Sequence, residues 1–266
     1  MTETRIIGVS LVRNEDVFVE QALRNVLGFC DEVIVLDHRS RDRTRSILAE
    51  VARAEPKVRV HSIRHPRESH DFVSPYAGSP TWMLGVDGDE LHDPERLRAL
   101  RERILAGELD RWWTVAGNIL HVRSLDREAS TASGYLTPPS RGLAKLKNFG
   151  ALESWEGPAR ERFHGGDLRF RPGYGHHLRY ELFHEHSWED SPFRWLHVCF
   201  LPRSSRQPRW TKVRPNPSEI YSGRVWRTRI RRGLATLQGR PYGVGKLDAF
   251  TKGDVVTVPV DSFFSR

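Results

Sequence analysis

Two cysteines and two methionines are all the sulfur in this 266-residue chain. Cys30 and Cys199 each stand in apolar surroundings (LGFCDEV and LHVCFLP), so they read as buried free thiols. A reducing, cytoplasmic compartment is therefore expected. Neither cysteine lies in a paired-ligand spacing, which argues against a zinc site. No run approaches the ~18–20 consecutive apolar residues of a membrane span. The opening MTETRIIGVSLV enters a strand pattern without the basic region, apolar run and cleavage site of a signal peptide. The phosphate loop G-x-x-x-x-G-K-[ST], the nucleophile elbow G-x-S-x-G and the dinucleotide fingerprint G-x-G-x-x-G are all missing from their required contexts. Internal repeats are missing too.

Acid is scarce in one place. Residues 201–240 hold eleven lysines and arginines against the single acid Glu219, although the whole chain carries only +8. The remainder therefore sums to about −2, a near-neutral body with a basic extension. Such an extension suits phosphate groups, an anionic membrane surface or nucleic acid, or else forms a solvated arginine-rich face. Nucleic acid is the least expected of these partners.

The rest has the 38% hydrophobic and 29% charged residues of an ordinary globular protein. Residues 5–12 (RIIGVSLV) form a short β-branched apolar run. Asn14 is placed to cap a helix carrying Val19, Leu23, Val26 and Leu27 on one face. A second run, 32–37 (EVIVLD), ends in an acid. Ser40, Asp42 and Thr44 make a polar turn before a helix with Ile47, Leu48, Val51 and Ala52 on one face. Residues 58–63 alternate as a third strand, and 64–80, with three prolines, read as a loop. A fourth strand, 81–86 (TWMLGV), runs into Asp87-Gly88-Asp89-Glu90. Asp93-Pro94 then starts a helix whose predicted buried stripe is Leu97, Leu100, Ile104 and Leu105. Residues 112–122 are strand-like, 124–180 carry a weaker pattern of short strands and long loops, and apolar order returns at 195–201. One amphipathic helix is expected near 223–237.

Strand and helix alternation argues for parallel βαβ units, with the strands' C-terminal ends at one edge, where open α/β sheets bind ligands. At that edge two carboxylates spaced i, i+2 around a glycine can converge on Mg²⁺ or Mn²⁺ beside a diphosphate. An acidic turn before a helix would read the same way. Asp37, closing its strand, can accept the imide N–H of a uracil or thymine ring, or simply form a turn. Asn14-Glu15 is similarly open.

Taken together, GVSLVRNED, DEVIVLDHRSRDRT and WMLGVDGDE resemble the three leading blocks of family 2 glycosyltransferases. The resemblance covers residues 5–97 and thins after 100. It implies the GT-A fold, a Rossmann-type α/β/α sandwich with a mostly parallel central sheet, over residues 1–200, with the basic extension over 201–266. It also implies a nucleotide-sugar donor, usually a UDP-sugar, a divalent metal (Mn²⁺ or Mg²⁺) and inversion. Carried over by position, Asp37 binds the base, with Asn14, Glu15, Ser40 and Asp42 shaping the cofactor pocket. Asp87 takes the ribose or the metal, Asp89 the metal, and Glu90 supports that site. His197 matches a late histidine that completes the metal site, though it also fits an apolar core strand. The general base maps either to Glu185, in His184-Glu185, or to Asp190, in Glu189-Asp190. The proline-bearing 72–80 segment departs from the family, which has a helix there.

The acceptor hydroxyl belongs to a glycan, a lipid-linked sugar or a small metabolite, and the basic segment suits contact with the inner face of an anionic membrane. Two other functions fit parts of the sequence. A nucleotidyltransferase would need a glycine-rich loop that SLVRNED lacks. A catalytically degenerate fold would use the basic segment to hold nucleic acid or membrane. The tryptophans 112, 113, 155, 188 and 195 read as core rather than as a sugar-stacking face.

Overall fold

The computed structural model of the chain describes residues 3–206 and 248–264. Most of the basic segment 201–240, including the helix expected near 223–237, lies outside the described residues. In chain order the elements are β1 (Arg5–Val12), α1 (Val19–Leu27), β2 (Glu32–Asp37), α2 (Thr44–Ala54), β3 (Val58–Ser62), β4 (Thr81–Val86), β5 (Glu90–His92) and α3 (Pro94–Leu105). There follow β6 (Thr114–Ala116), β7 (Asn118–Asp126), β8 (Thr131–Leu136), β9 (Ala144–Asn148), β10 (Leu152–Glu161), β11 (His164–Phe170), β12 (Arg179–Glu181), β13 (Arg194–His197) and β14 (Val255–Pro259). Among the described residues no helix is long and apolar enough to cross a membrane.

The main sheet has the order β12-β6-β9-β4-β1-β2-β3. Strands β4, β1, β2 and β3 run parallel, as expected, and β9 runs antiparallel to both β4 and β6. Helices α1 and α2 bury Val19, Leu23, Val26, Leu48 and Val51 against one face of it, together with Val33 and Val35 of β2. The opposite face, from Ile7, Val9, Ile34 and Met83, is covered by Phe149, Leu152 and Trp155 at the root of the β10–β11 hairpin. A smaller five-stranded sheet, β14-β8-β7-β13-β5, builds a third core around Leu120, Leu196, Val258 and Phe263.

Four local expectations change. Asn14 is no helix cap: α1 starts five residues later, and Asn14 sits in the left-handed region at φ 53°. Its amide oxygen accepts from Arg41 N at 2.7 Å and its own N–H donates to Ser40 Oγ at 2.9 Å, so it ties two loops together. Leu105 is 43% exposed. It lies about 100° round the helix from Ile104, off the stripe that buries Leu97 and Leu100. Residues 112–122 are two strands in two sheets rather than one. The switch falls at Gly117, where a Cβ would stand 1.9 Å from the Phe193 carbonyl oxygen. Only a residue without a side chain passes there.

The segment 64–80 forms two short 3₁₀ turns, Pro66–Phe72 and Ser74–Tyr76, each with a proline in its first two positions, in place of both the loop and the family's helix. Asp93 caps α3 as expected, accepting from Glu95 N and Arg96 N, while its second oxygen accepts from Arg194 Nε, Arg194 Nη2 and Ser262 Oγ at 2.8–2.9 Å. Trp113, Trp155, Trp188 and Trp195 are buried, and Trp112 is half-buried and stacked on Tyr180.

Candidate active site

The parallel register sets the geometry of the site. Val12 of β1 pairs with Asp37 of β2, and Ser10 of β1 pairs with Val86 of β4. Asp37 and Asp87 therefore leave the same edge of the sheet on the two strands that flank β1, roughly 10 Å apart at ~4.8 Å per strand. Asp37 is buried and accepts from Ser40 N at 3.1 Å, with Arg45 Nε at 3.8 Å. Asp42 binds Thr44, and Thr44 Oγ1 accepts from Glu15 N at 2.8 Å, fastening the β1 loop to the start of α2. Beneath them Glu15 is buried against Gly88, where a Cβ would fall 2.0 Å from Glu15 Oε2. The glycine between the two aspartates is thus required by a carboxylate 73 positions earlier in the chain.

Asp87 is gripped on both oxygens, by Lys145 Nζ and by Arg162 Nη2, each at 2.5 Å. Burial opposes its ionisation, but these two cations outweigh it and hold the carboxyl well below the usual range. Lys145 also reaches Glu90 Oε2 at 2.8 Å. Burial pushes Glu90 up to about 8 all the same, since Asp87 and Asp89 repel a third negative charge. Asp89 pairs with Arg203, and its Oδ2 stands 3.8 Å from His197 Nε2. Three carboxylates and three protein cations thus share one edge.

His197 and His121 are directly opposed in the parallel β13–β7 register. The carbonyl of Arg141, 3.1 Å from His121 Nε2, can only accept, so Nε2 carries the proton and Nδ1 the lone pair. His121 Nδ1 then accepts from His197 Nδ1–H at 2.9 Å, which leaves the His197 Nε2 lone pair facing Asp89. Burial keeps both rings neutral, lowering His121 to about 3 and His197 to about 4. The fit for a divalent ion follows: two ligands at about 2.0–2.2 Å from one ion stand up to about 4 Å apart. Asp89 Oδ2 and His197 Nε2 meet that spacing, with Arg203 the single cation that an ion there would displace, whereas both oxygens of Asp87 are committed to cations. The Cys199 thiol, half-buried and pushed up by burial, lies with the two imidazoles in one cluster.

A short segment closes the edge. Arg203 holds Asp89, Ser204 Oγ donates to Asp42 Oδ2 at 2.6 Å, and Ser205 N and Oγ donate to Asp16 at 2.7 and 2.5 Å. Burial opposes ionisation of Asp16, yet these hydrogen bonds keep its carboxyl below the ordinary value.

The family comparison decides what this edge belongs to. The model of glycosyl transferase family 2 matches residues 9–152, more than half of the chain. The chain belongs to this family. Its mixed α/β fold with a largely parallel central sheet is that of the GT-A glycosyltransferases, as the resemblance implied. Among solved structures, it is similar to a mannosyltransferase from Pyrobaculum calidifontis in complex with GDP-Man and Mn²⁺, at 20% identity over 46% of this chain and 36% of that one, TM-score 0.32. It is also similar to glucosyl-3-phosphoglycerate synthase from Mycobacterium tuberculosis, in complex with Mn²⁺, UDP and glucosyl-3-phosphoglycerate, at 23% identity over 42% and 43% of the two chains, TM-score 0.31. A UDP-glucose pyrophosphorylase complexed with UDP-glucose aligns at 8% identity over 63% and 90%, TM-score 0.30. The chain thus spans less than half the length of the two transferases. No curated protein matches it.

Of the residues expected at a family 2 site, Asn14, Glu15, Asp37, Ser40, Asp42, Asp87 and Asp89 gather at one sheet edge, and His197 joins from the second sheet. Among the described residues, Glu185 and Asp190 make no hydrogen bond or ion pair with them. Both are exposed; Glu185 accepts from Tyr180 Oη at 2.7 Å and Asp190 from Ser187 Oγ at 2.9 Å. His184 is also exposed, paired with Glu181 at 3.2 Å. Sequence reading missed Lys145, Arg162, Arg203 and His121. Each lies in the stretch where the pattern weakens or the family blocks have ended.

Proposed function

We propose that this family 2 member is a metal-dependent glycosyltransferase that moves a sugar from a nucleotide-sugar donor, a UDP-sugar foremost, to an acceptor hydroxyl with inversion. The observation that carries this reading is the joint placement of Asp37, Asp87 and Asp89 at the C-terminal edge of neighbouring parallel strands, with His197 facing Asp89. Asp37 accepts the imide N–H of the base, and Asn14, Ser40 and Asp42 hold the loop that shapes that pocket. Asp87 orients the ribose. Asp89 and His197 hold the divalent ion, Mn²⁺ or Mg²⁺, which supplies positive charge for the departing diphosphate. A carboxylate, Glu185 or Asp190, takes the acceptor's proton as its oxygen attacks the anomeric carbon and the bond to the diphosphate breaks. The two unpaired cysteines suit a cytoplasmic enzyme.

The test is thermal melting of the full chain with UDP, GDP, CDP and dTDP, each with and without Mn²⁺. A ligand present at a hundred times its Kd stabilises the folded state by about 2.7 kcal/mol. One nucleotide should raise the Tm in a metal-dependent way, and Asp89→Ala should remove the shift. In a turnover assay the same substitution should lower the rate by about 10²–10³-fold, the usual scale for losing one charge-stabilising group. A folded protein that shifts with none of the four would overturn the reading in favour of a binding function.

A further inference from the structure

The main sheet continues past Asp87 on the side away from Asp37, and what lies there is basic. Lys145 and Lys147, two apart on β9, present their side chains to the same face. Above that face the β10–β11 hairpin turns through Arg162 and Phe163. Its tip is pinned: Arg162 N donates to the buried Ser69 Oγ at 2.6 Å, and Phe163 packs over Gly85, where a Cβ would stand 3.0 Å from the ring. His164 completes the group.

Two of these cations are left with donors that no acceptor meets among the described residues. The Arg162 side chain is only 11% exposed; one nitrogen pairs with Asp87, and the charges of Glu161 and Glu90 also favour its ionised form, but its Nε and Nη1 are buried with no hydrogen-bond partner. Lys147 Nζ lies 5.1 Å from the Trp113 ring and 5.9 Å from the Phe163 ring, with no carboxylate ion-paired to it among the described residues. Burial, aided by Arg179, lowers the Lys147 ammonium to about 8, and burial with Arg162, Lys147 and Lys145 lowers His164 to about 4. A buried guanidinium left with unmet donors has lost its hydration without a replacement acceptor, which is unfavourable. An oxyanion would supply the missing acceptors, and the planar guanidinium fork matches phosphate oxygens.

We infer that the basic face between β9 and the tip of the β10–β11 hairpin is an anion subsite for the acceptor, taking a phosphate-bearing sugar-acceptor molecule through Arg162 and Lys147. This rests on the transferase reading above for the word acceptor, though not for the site itself. The position argues against the donor's own phosphates. Asn14 and Asp37 stand beyond β1 and on β2, whereas Lys147 lies on β9, on the other side of β4. Asp87, held by both Lys145 and Arg162, marks the border between the two halves of the site.

The experiment is calorimetric titration of the full chain with inorganic phosphate. It is run on free protein and on protein saturated with Mg²⁺ and whichever nucleoside diphosphate raises its Tm. Phosphate should bind both forms. Lys147→Met, which keeps the apolar stem over Trp113, should weaken phosphate at least tenfold and leave the nucleotide-induced shift unchanged. Arg162→Gln should weaken phosphate to a similar degree, with circular dichroism confirming that both variants fold. Acetate should bind at least tenfold more weakly than phosphate, and equal affinity would overturn the choice of a phosphate. The inference also fails if phosphate binds only the nucleotide-free protein, for the cations would then serve the donor. It fails equally if neither substitution changes phosphate affinity. Should no nucleotide bind at all, the free-protein titration still judges the anion subsite while the transferase reading falls by itself.

Discussion

The two halves of this molecule are held together by different means. From β1 to β3 the chain builds its sheet from neighbours in sequence, α1 and α2 each returning the next strand to its place beside the last; β4 then joins on the free side of β1, and β1, β2 and β4 are almost wholly apolar. From β5 onward, apart from the hairpins β7–β8 and β10–β11, strands adjacent in space come from distant parts of the chain, such as β5 with β13 and β8 with β14. Polar clasps fix them. Asp93 alone joins the start of α3, β13 through Arg194, and the C-terminal turn through Ser262. The first half is specified by pattern and the second by particular atoms meeting, so they should fail in different ways.

The sharpest test of that contrast is Asp93→Ala. It strips a helix cap and leaves the Arg194 guanidinium, itself mostly buried, without its carboxylate. Breaking a buried pair from one side costs about 3–5 kcal/mol. Urea unfolding should show a loss of that size, and a loss below 1 kcal/mol would mean that the clasp is ornamental. Gly117→Ala comes next. The Phe193 carbonyl leaves no room for the new methyl, and overpacking of this kind costs about 1–3 kcal/mol or more. Gly28→Ala at the end of α1 meets nothing within 4 Å and should be far milder.

A pH series probes the buried histidines of the second half. Burial lowers His92 and His121 to about 3 and His197 to about 4, while the unfolded chain titrates them near 6.5. The unfolded state therefore binds more protons at acidic pH. The stability these rings contribute is complete above 6.5 and is lost as pH falls towards 4, at about 1.4 kcal/mol per pH unit for each ring. Glu90, raised to about 8, works in the opposite direction between 4.5 and 8. Comparing wild type with His92→Phe isolates one ring: it stacks against Phe193 and Trp195, and both its ring nitrogens lack partners. The variant should lose less stability between pH 7.5 and 5, and equal losses would contradict the assignment. The smallest effect is expected at Leu105→Gln, within ±0.5 kcal/mol, because that side chain is on the surface.

This contrast also explains what was legible in the sequence. Strand runs 5–12, 32–37 and 81–86 and the Asp93-Pro94 helix start appear where composition and periodicity place them, because local pattern and tertiary burial agree there. The acids at the strand ends come with them. Asn14 departs because its preference for a cap competes with its tolerance of positive φ, and the Ser40–Arg41 loop offers it two hydrogen bonds. Residues 112–122 look like one strand because an apolar run carries no mark of which sheet it joins. Lys145, Arg162 and Arg203 arrive from elements whose pairing no short-range signal encodes. His121 is recognisable only once β7 lies beside β13.

The contact between Glu15 and Gly88 has a consequence for descent as well as for shape. Position 88 is closed to every residue with a side chain only while position 15 carries a long acid whose carboxylate reaches it. The two sites should then change together among relatives. Where residue 15 shortens, the middle of the acidic triplet becomes free to vary, and where residue 88 gains a side chain first, a glutamate at 15 becomes a defect to be repaired.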